Sequence, residues 1–192
     1  MMPLIEALQN RSTCARRDEF RSMCKDWEIR DGEALTDWLE THGFFTAPAS
    51  RKYHGCYPGG LYDHSLCVYL NLNLITRAMG LNWQRACSPF IVGMLHDVCK
   101  ADQYNAVCGE NSKIITYEYN KQTLLKGHGD KSLMLLSTIF PLTEEEMLCI
   151  RYHMGAFCEK EEWTDYTSAI HCYPNVLWAH QADMMAAHIE ML

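Results

Sequence analysis

Apolar residues recur at helical spacing along most of the chain. Leu61, His64, Val68, Leu72, Ile75 and Met79 share one face, which predicts a long amphipathic helix from Leu61 to Met79. Ser88-Pro89 marks another start, with Ser as N-cap and Pro at the first helical position. The run Phe90-Ile91-Val92-Gly93-Met94-Leu95 carries that helix into His96-Asp97. Asp31-Gly32-Glu33 starts a helix with the apolar face Leu35, Trp38, Leu39 and His42, and Gly43 ends it. Leu4–Asn10 and Arg16–Trp27 predict two earlier helices. Helical pattern resumes near Asp130. Thr143 to Glu146 forms a capping box, with Leu142 and Met147 as its hydrophobic staple. The last helix runs from about Asn175 to Ile189. One segment breaks the period. Lys113 to Tyr119 is rich in β-branched and aromatic residues and follows the turn cluster Gly109-Glu110-Asn111-Ser112, which predicts a small hairpin. The expected fold is all-α, a mostly helical bundle with a small β-hairpin insertion. A helical N-terminal extension, 1–45, is expected to pack on a core, 46–192, in one globular unit.

Composition narrows the function. The 192 residues carry a formal net charge of −7, which argues against a duplex nucleic acid partner. No apolar run approaches the roughly 20 residues of a membrane span, and no signal-peptide pattern opens the sequence. The expected location is therefore cytoplasmic, with no membrane partner. The 10 cysteines are scattered without a C-x-x-C pair, so reduced, mostly buried thiols are expected rather than a disulfide scaffold or a zinc ribbon.

The candidate chemistry is in histidines and acids on otherwise apolar elements. His64 interrupts the apolar stripe of its helix, and a buried imidazole there needs a partner, a carbonyl or a metal. Asp97 ends a helix with no preceding charge, so its carboxylate must meet a cation. Lys100 follows it at helical spacing, and a simple Asp97–Lys100 pair is the plainer reading. His128 lies between two glycines before a helix start, and His153 ends the helix that Thr143 caps. Asp183 lies among Ala179, Ala186 and Ala187, small residues that let its helix approach others closely.

Each signal alone is weak; their order is informative. His64, then His96-Asp97, then His128, then His153, then Asp183 resembles the ligand order of the HD-domain metal-dependent phosphohydrolase superfamily, in its binuclear, six-ligand form. The resemblance covers roughly Tyr53 to Ile189. Tyr57-Pro58-Gly59-Gly60-Leu61-Tyr62-Asp63-His64-Ser65 is similar to the stretch before the first ligand in HD-type exoribonucleases. His96-Asp97-Val98-Cys99-Lys100 resembles the family's His-Asp-x-x-Lys. The chain departs from the subgroup that senses cyclic dinucleotides, because no Gly-Tyr-Pro follows at the expected place.

The resemblance implies an all-α HD-domain bundle holding two divalent transition-metal ions. Histidine with carboxylate suits Fe, Mn, Co, Ni or Zn. His64, His96, Asp97 and Asp183 would hold one ion, and Asp97 would bridge to a second held by His128 and His153. Two such ions against two carboxylates leave the pocket at about +2, enough to attract phosphate to an acidic chain. A metal-activated water would then cleave a phosphate ester or anhydride of a small substrate, a nucleotide or short oligonucleotide. Asp97 and Lys100 would carry catalysis, with Lys100 binding a phosphoryl oxygen. Arg51, Lys52, His54, Lys126, Lys131, Arg151 and His180 are secondary candidates for substrate binding, against ordinary solvated positions for the charged ones. Two other readings stay open: a di-iron oxygenase of the HD fold, and a nucleotide-binding regulator without turnover.

Overall fold

The computed structural model describes residues 9–157 and 159–190. The expected helix at Leu4–Asn10 falls mostly outside these residues, as does Cys158. Among the described residues there are eight α-helices and one two-stranded antiparallel sheet, a mostly helical fold with a small hairpin. The described residues divide into two compact units, one built from 9–64 with Cys99–Leu125, the other from Ser65–Val98 with Lys126–Glu190.

The first unit opens with α1, Thr13–Asp26. The Ser12 hydroxyl caps it by accepting from the Ala15 backbone N–H at 3.1 Å. Arg16, Phe20 and Cys24, at successive turns, form its buried face. Helix α2, Gly32–Thr41, packs against α1. Gly32 permits this closeness, since a Cβ there would lie 2.9 Å from the Cys24 Cβ. The expected apolar face of α2 is narrower than its spacing suggests. Leu35 and Leu39 are buried, whereas Trp38 is half-buried and His42 is exposed, the two rings stacked at 3.9 Å. Gly43 ends the helix at φ +86°, as expected. Phe20, Phe44, Phe45 and Tyr62 form the aromatic core of this unit, with ring centroids 5.4–6.4 Å apart. The hairpin pairs β1, Tyr104–Cys108, with β2, Ile114–Tyr119, in the register Tyr104↔Tyr119 and Ala106↔Tyr117. Its first strand lies directly before the Gly109–Ser112 turn cluster, and a bulge lies at Val107/Cys108.

Helix α3, Gly60–Met79, begins in the first unit and continues in the second. Helix α4, Ser88–Leu95, follows with every residue buried. Gly93 is required here, because a Cβ would lie 2.4 Å from the Tyr69 Cα on α3. The cap differs from expectation. Cys87 is the N-cap residue, and Ser88 is inside the helix with its hydroxyl donating to Glu146 Oε1 at 2.7 Å. The helix also stops at Leu95, with His96 as its C-cap residue, and a 3-10 turn, Val98–Asp102, follows.

The second unit continues with α5, Gly129–Leu136, and α6, Glu144–Arg151. It ends with α7, Trp163–Cys172, and α8, Asn175–Met185, which leads into a π turn, Ala186–Glu190. The Thr143–Glu146 capping box is formed. Glu146 does more than cap: its fully buried carboxylate also accepts from Arg85 Nε at 3.0 Å and from Ser88. It thereby ties the start of α4 to the start of α6. Ala179, Ala182 and Ala186 are buried along α8, and these small side chains let α4, α6 and α7 pack directly against it. Nine cysteines are free thiols among the described residues. No helix among the described residues is long and apolar enough to cross a membrane.

Candidate metal centre

Five of the expected ligands converge within the second unit. Asp97 is their middle. Its Oδ1 lies 3.1 Å from His128 Nε2 and 3.4 Å from His153 Nε2, and its Oδ2 lies 3.4 Å from His96 Nε2. His96 Nε2 is also 3.8 Å from Asp183 Oδ1. Two triads, His96/His153/Asp183 and Asp97/His128/His153, each place one ligand atom per residue within 4.8 Å of the others. His96, Asp97 and His153 are 1 % exposed, Asp183 14 % and His128 29 %, so the cluster is buried and reached from the His128 side.

Local structure explains the convergence. His96 and Asp97 directly follow the all-buried α4. Gly129 brings α5 onto α6, because its backbone lies where a Cβ would be 2.2 Å from the Arg151 carbonyl oxygen. That contact places His128, one residue before Gly129, beside His153, two residues after Arg151. The His128 and His153 rings are 5.3 Å apart, and those of His96 and His153 are 4.8 Å apart. The alanine stripe of α8 brings Asp183 to the same place.

The histidine tautomers are set from behind. His96 Nδ1 lies 2.9 Å from the Gly93 carbonyl, and His153 Nδ1 lies 2.7 Å from the Ile150 carbonyl. A carbonyl only accepts, so each Nδ1 carries the hydrogen. In the neutral rings, each Nε2 then turns a lone pair toward carboxylate oxygen. His153 Nε2 is buried without a hydrogen bond. Electron-rich atoms facing one another at this range are stable only with protons or a cation between them. Backbone carbonyls on the far nitrogen are the usual support of metal-bound histidine. Bond lengths of about 2.0–2.2 Å around a transition ion put neighbouring ligand atoms about 3.0–3.5 Å apart, and the three Asp97 distances fall in that range. The residues therefore fit a divalent ion.

His64 is on α3, fully buried, with its ring 4.7 Å from that of His54. Lys100 is buried on the 3-10 turn after Asp97, at 8 % exposure. The secondary candidates divide. Arg51 stacks over Tyr119 at 5.4 Å, and Lys52 and Lys126 are exposed. Lys131 is buried on α5. Arg151 is held by Asp130 at 2.8 Å and Glu162 at 2.9 Å, so two carboxylates already balance its charge. His180 Nδ1 meets the His153 carbonyl at 2.8 Å, and Gly155 packs so closely that a Cβ there would be 2.6 Å from the His180 ring. Sequence reading missed the roles of Gly129, Gly155 and Glu146. The two glycines could have been suspected only from their place beside His128 and His153.

A cleft of about 560 Å³ opens beside His128. Met154 and Phe157 supply apolar wall, and Asp130, Glu159, Glu161 and Glu162 line it against the single cation Arg151. Comparison with protein-family models, with curated proteins and with solved structures finds no match to this chain.

Proposed function

We propose that this chain is an HD-type metal-dependent phosphohydrolase that cleaves a phosphate ester or anhydride of a nucleotide or short oligonucleotide. The observation that supports this reading is the Asp97 carboxylate, with two imidazoles on one oxygen and a third on the other, two of the three rings anchored on backbone carbonyls. In this reading Asp97 would hold one ion together with His128 and His153, and another together with His96 and Asp183. The motif order adds His64 as the remaining ligand. We place the activity in the cytosol, where free thiols stay reduced.

Bound divalent ions would supply positive charge and a water of lowered pKa. The chain's own residues do the rest. The Gly93 and Ile150 carbonyls keep His96 and His153 in the tautomer that presents Nε2. Burial of Asp97 excludes bulk water from the carboxylate and strengthens every charge interaction it makes. By the His-Asp-x-x-Lys motif, the Lys100 ammonium would hold a phosphoryl oxygen. The cleft beside His128 takes the part of the substrate that carries no phosphate, because its carboxylates outnumber its one committed arginine.

Metal analysis of the purified chain, joined to a screen of nucleotides and cyclic dinucleotides with and without oxygen, tests the reading. The expected result is close to two ions per chain, hydrolysis in either atmosphere, and loss of both metal and hydrolysis in Asp97→Ala. Turnover only in air would make the chain an oxygenase. Metal without turnover of any phosphate compound would make it a binding protein. Unchanged stoichiometry in Asp97→Ala would remove the centre altogether.

A further inference from the structure

The second unit holds a histidine that the ligand set leaves over. His180 is on α8, one turn before Asp183, in the same compact unit as His96 and His153. It belongs to none of the groups of candidate ligand atoms among the described residues. Its Nδ1 instead lies 2.8 Å from the backbone carbonyl oxygen of His153. A carbonyl only accepts, so Nδ1 carries the hydrogen and donates it. His153 lies just past the end of α6, outside that helix's own ladder of hydrogen bonds, and a donor 27 positions away on α8 holds its backbone instead.

The turn that carries His153 is fitted to this imidazole. Gly155 has φ +56°, and a Cβ there would lie 2.6 Å from the His180 Cδ2, Cε1 and Nε2 alike. A point that far from three ring atoms at once lies above the ring plane, so the imidazole rests with its face on the glycine. The Gly155 N–H donates to the Tyr152 carbonyl at 2.8 Å and closes the turn. The His153 ring is pinned separately, by its Nδ1 on the Ile150 carbonyl of α6 at 2.7 Å. Side chain and backbone of His153 are thus held by two different helices.

The bond bears on the ligands because His153 and Asp183 share one group, whose ligand atoms all lie within 4.8 Å of one another. Asp183 is three residues after His180 on α8. Ala179, Ala182 and Ala186 are buried along that helix. Such a stripe lets a helix approach closely, yet it offers few projecting side chains to stop the helix sliding. A directional hydrogen bond supplies the missing stop.

We propose that His180 is a positioning residue for the metal centre: by donating from Nδ1 to the His153 carbonyl it fixes the register of α8 against the turn after α6, and so the spacing of the Asp183 and His153 ligand atoms. The claim rests on the metal reading above. It gives His180 a part in holding ligands rather than substrate. Outer contacts that orient metal ligands are worth about 10- to 100-fold in metal affinity.

The test exchanges the imidazole for side chains that do and do not keep the donor in place. Asparagine puts an amide N–H where Nδ1 stands. Leucine has the same outline and no donor. Glutamine carries its N–H one bond further, toward the place of Nε2. Co²⁺ affinity is titrated by absorption on the whole chain, with a melting curve on each sample. His180→Leu is expected to weaken Co²⁺ binding about 10-fold or more, and His180→Gln to fall with it. His180→Asn should stay within about threefold of the unmodified chain, because its donor is retained. Should the leucine variant fail to fold, the comparison of asparagine with glutamine, both polar, carries the same test. In an Asp183→Ala background, His180→Leu should cost less than about twofold, because the coupling runs through the spacing of Asp183 and His153. Binding by His180→Leu as tight as that of the unmodified chain would overturn the role. So would a His180→Asn variant no tighter than the leucine and glutamine variants, or equal losses with and without Asp183. An unmodified chain that binds none of Co²⁺, Mn²⁺, Zn²⁺ or Fe²⁺ would overturn the metal reading and this role together, whereas tight binding indifferent to His180 would overturn the role alone.

Discussion

Gly129→Ala is the sharpest probe of how the centre is assembled. A Cβ at this position meets the Arg151 carbonyl oxygen at 2.2 Å, with the Arg151 C and Cα at 2.7 Å. All three are backbone atoms, so no side chain can swing aside. Restoring ordinary contact, near 3.4 Å, needs roughly 1 Å of separation between the start of α5 and the end of α6. His128 and His153 are attached to those two ends. Metal–ligand distances tolerate only about 0.2 Å, so a shift of that size takes His128 out of reach of an ion held by Asp97 and His153. Overpacking of this kind costs about 1–3 kcal/mol. For a chain of this length, that lowers the melting temperature by about 2–12 °C. The assay is metal per chain by mass spectrometry, with a Co²⁺ titration and a melting curve on the same samples. One ion is expected to be lost or bound at least 10-fold more weakly, while the chain stays folded. Gly80→Ala is the control. Gly80 has φ +63° but nothing within 4 Å of an added Cβ, so it costs stability through backbone strain without touching the metal. If Gly129→Ala kept two ions at unchanged affinity, the α5–α6 contact would not be what sets the His128–His153 spacing.

Glu146→Ala should lower stability by about 1–3 kcal/mol, because it removes the acceptor of the buried Ser88 hydroxyl and of the Thr143 N–H and the carboxylate partner of Arg85; urea denaturation reads this directly, and no measurable loss would deny Glu146 its role as the joint of α4 and α6. Burial pushes the Cys24 thiol up from the ordinary 9.0 to about 12. The folded state therefore favours the neutral thiol, and that contribution to stability is complete below pH 9 and lost as pH rises from 9 toward 12. Urea midpoints of the unmodified chain and Cys24→Val, followed from pH 8 to pH 11, should converge in slope below pH 9 and diverge above it, with the valine variant the flatter; parallel curves would contradict the assignment. Glu159→Gln combined with Glu161→Gln should improve binding of nucleoside triphosphates relative to monophosphates by a few-fold at low salt, with the gain fading as ionic strength rises. Equal gains for both classes would show that the cleft does not discriminate by charge.

Much of the fold was legible along the chain because helices are local. The period of Leu61 to Met79, the Pro89 start and the Thr143–Glu146 capping box all depend on neighbours within a turn or two. Helix α7 carried little such signal, and Ala169 is its one buried residue. The ligand candidates were legible for a different reason. Imidazoles and carboxylates on apolar elements are costly alone, so their presence at His96, Asp97, His128, His153 and Asp183 announced partners.

What those partners are could not be read from spacing. Ser88 looked like a cap, and became a donor to a glutamate 58 positions away. Arg151 looked available to phosphate, and is neutralised by Asp130, 21 positions away, and by Glu162. Gly129 and Gly93 carry no sequence mark of the close contacts they make, and are the points where backbones touch. The order of apolar and polar residues determined which segments are helical and which side chains needed company, since both follow from propensity and desolvation. Which groups meet, at what distance, and with which charges already spent was decided by the packing of helices remote in the chain, because close approach and ion pairing act through space and leave no periodic mark on the sequence.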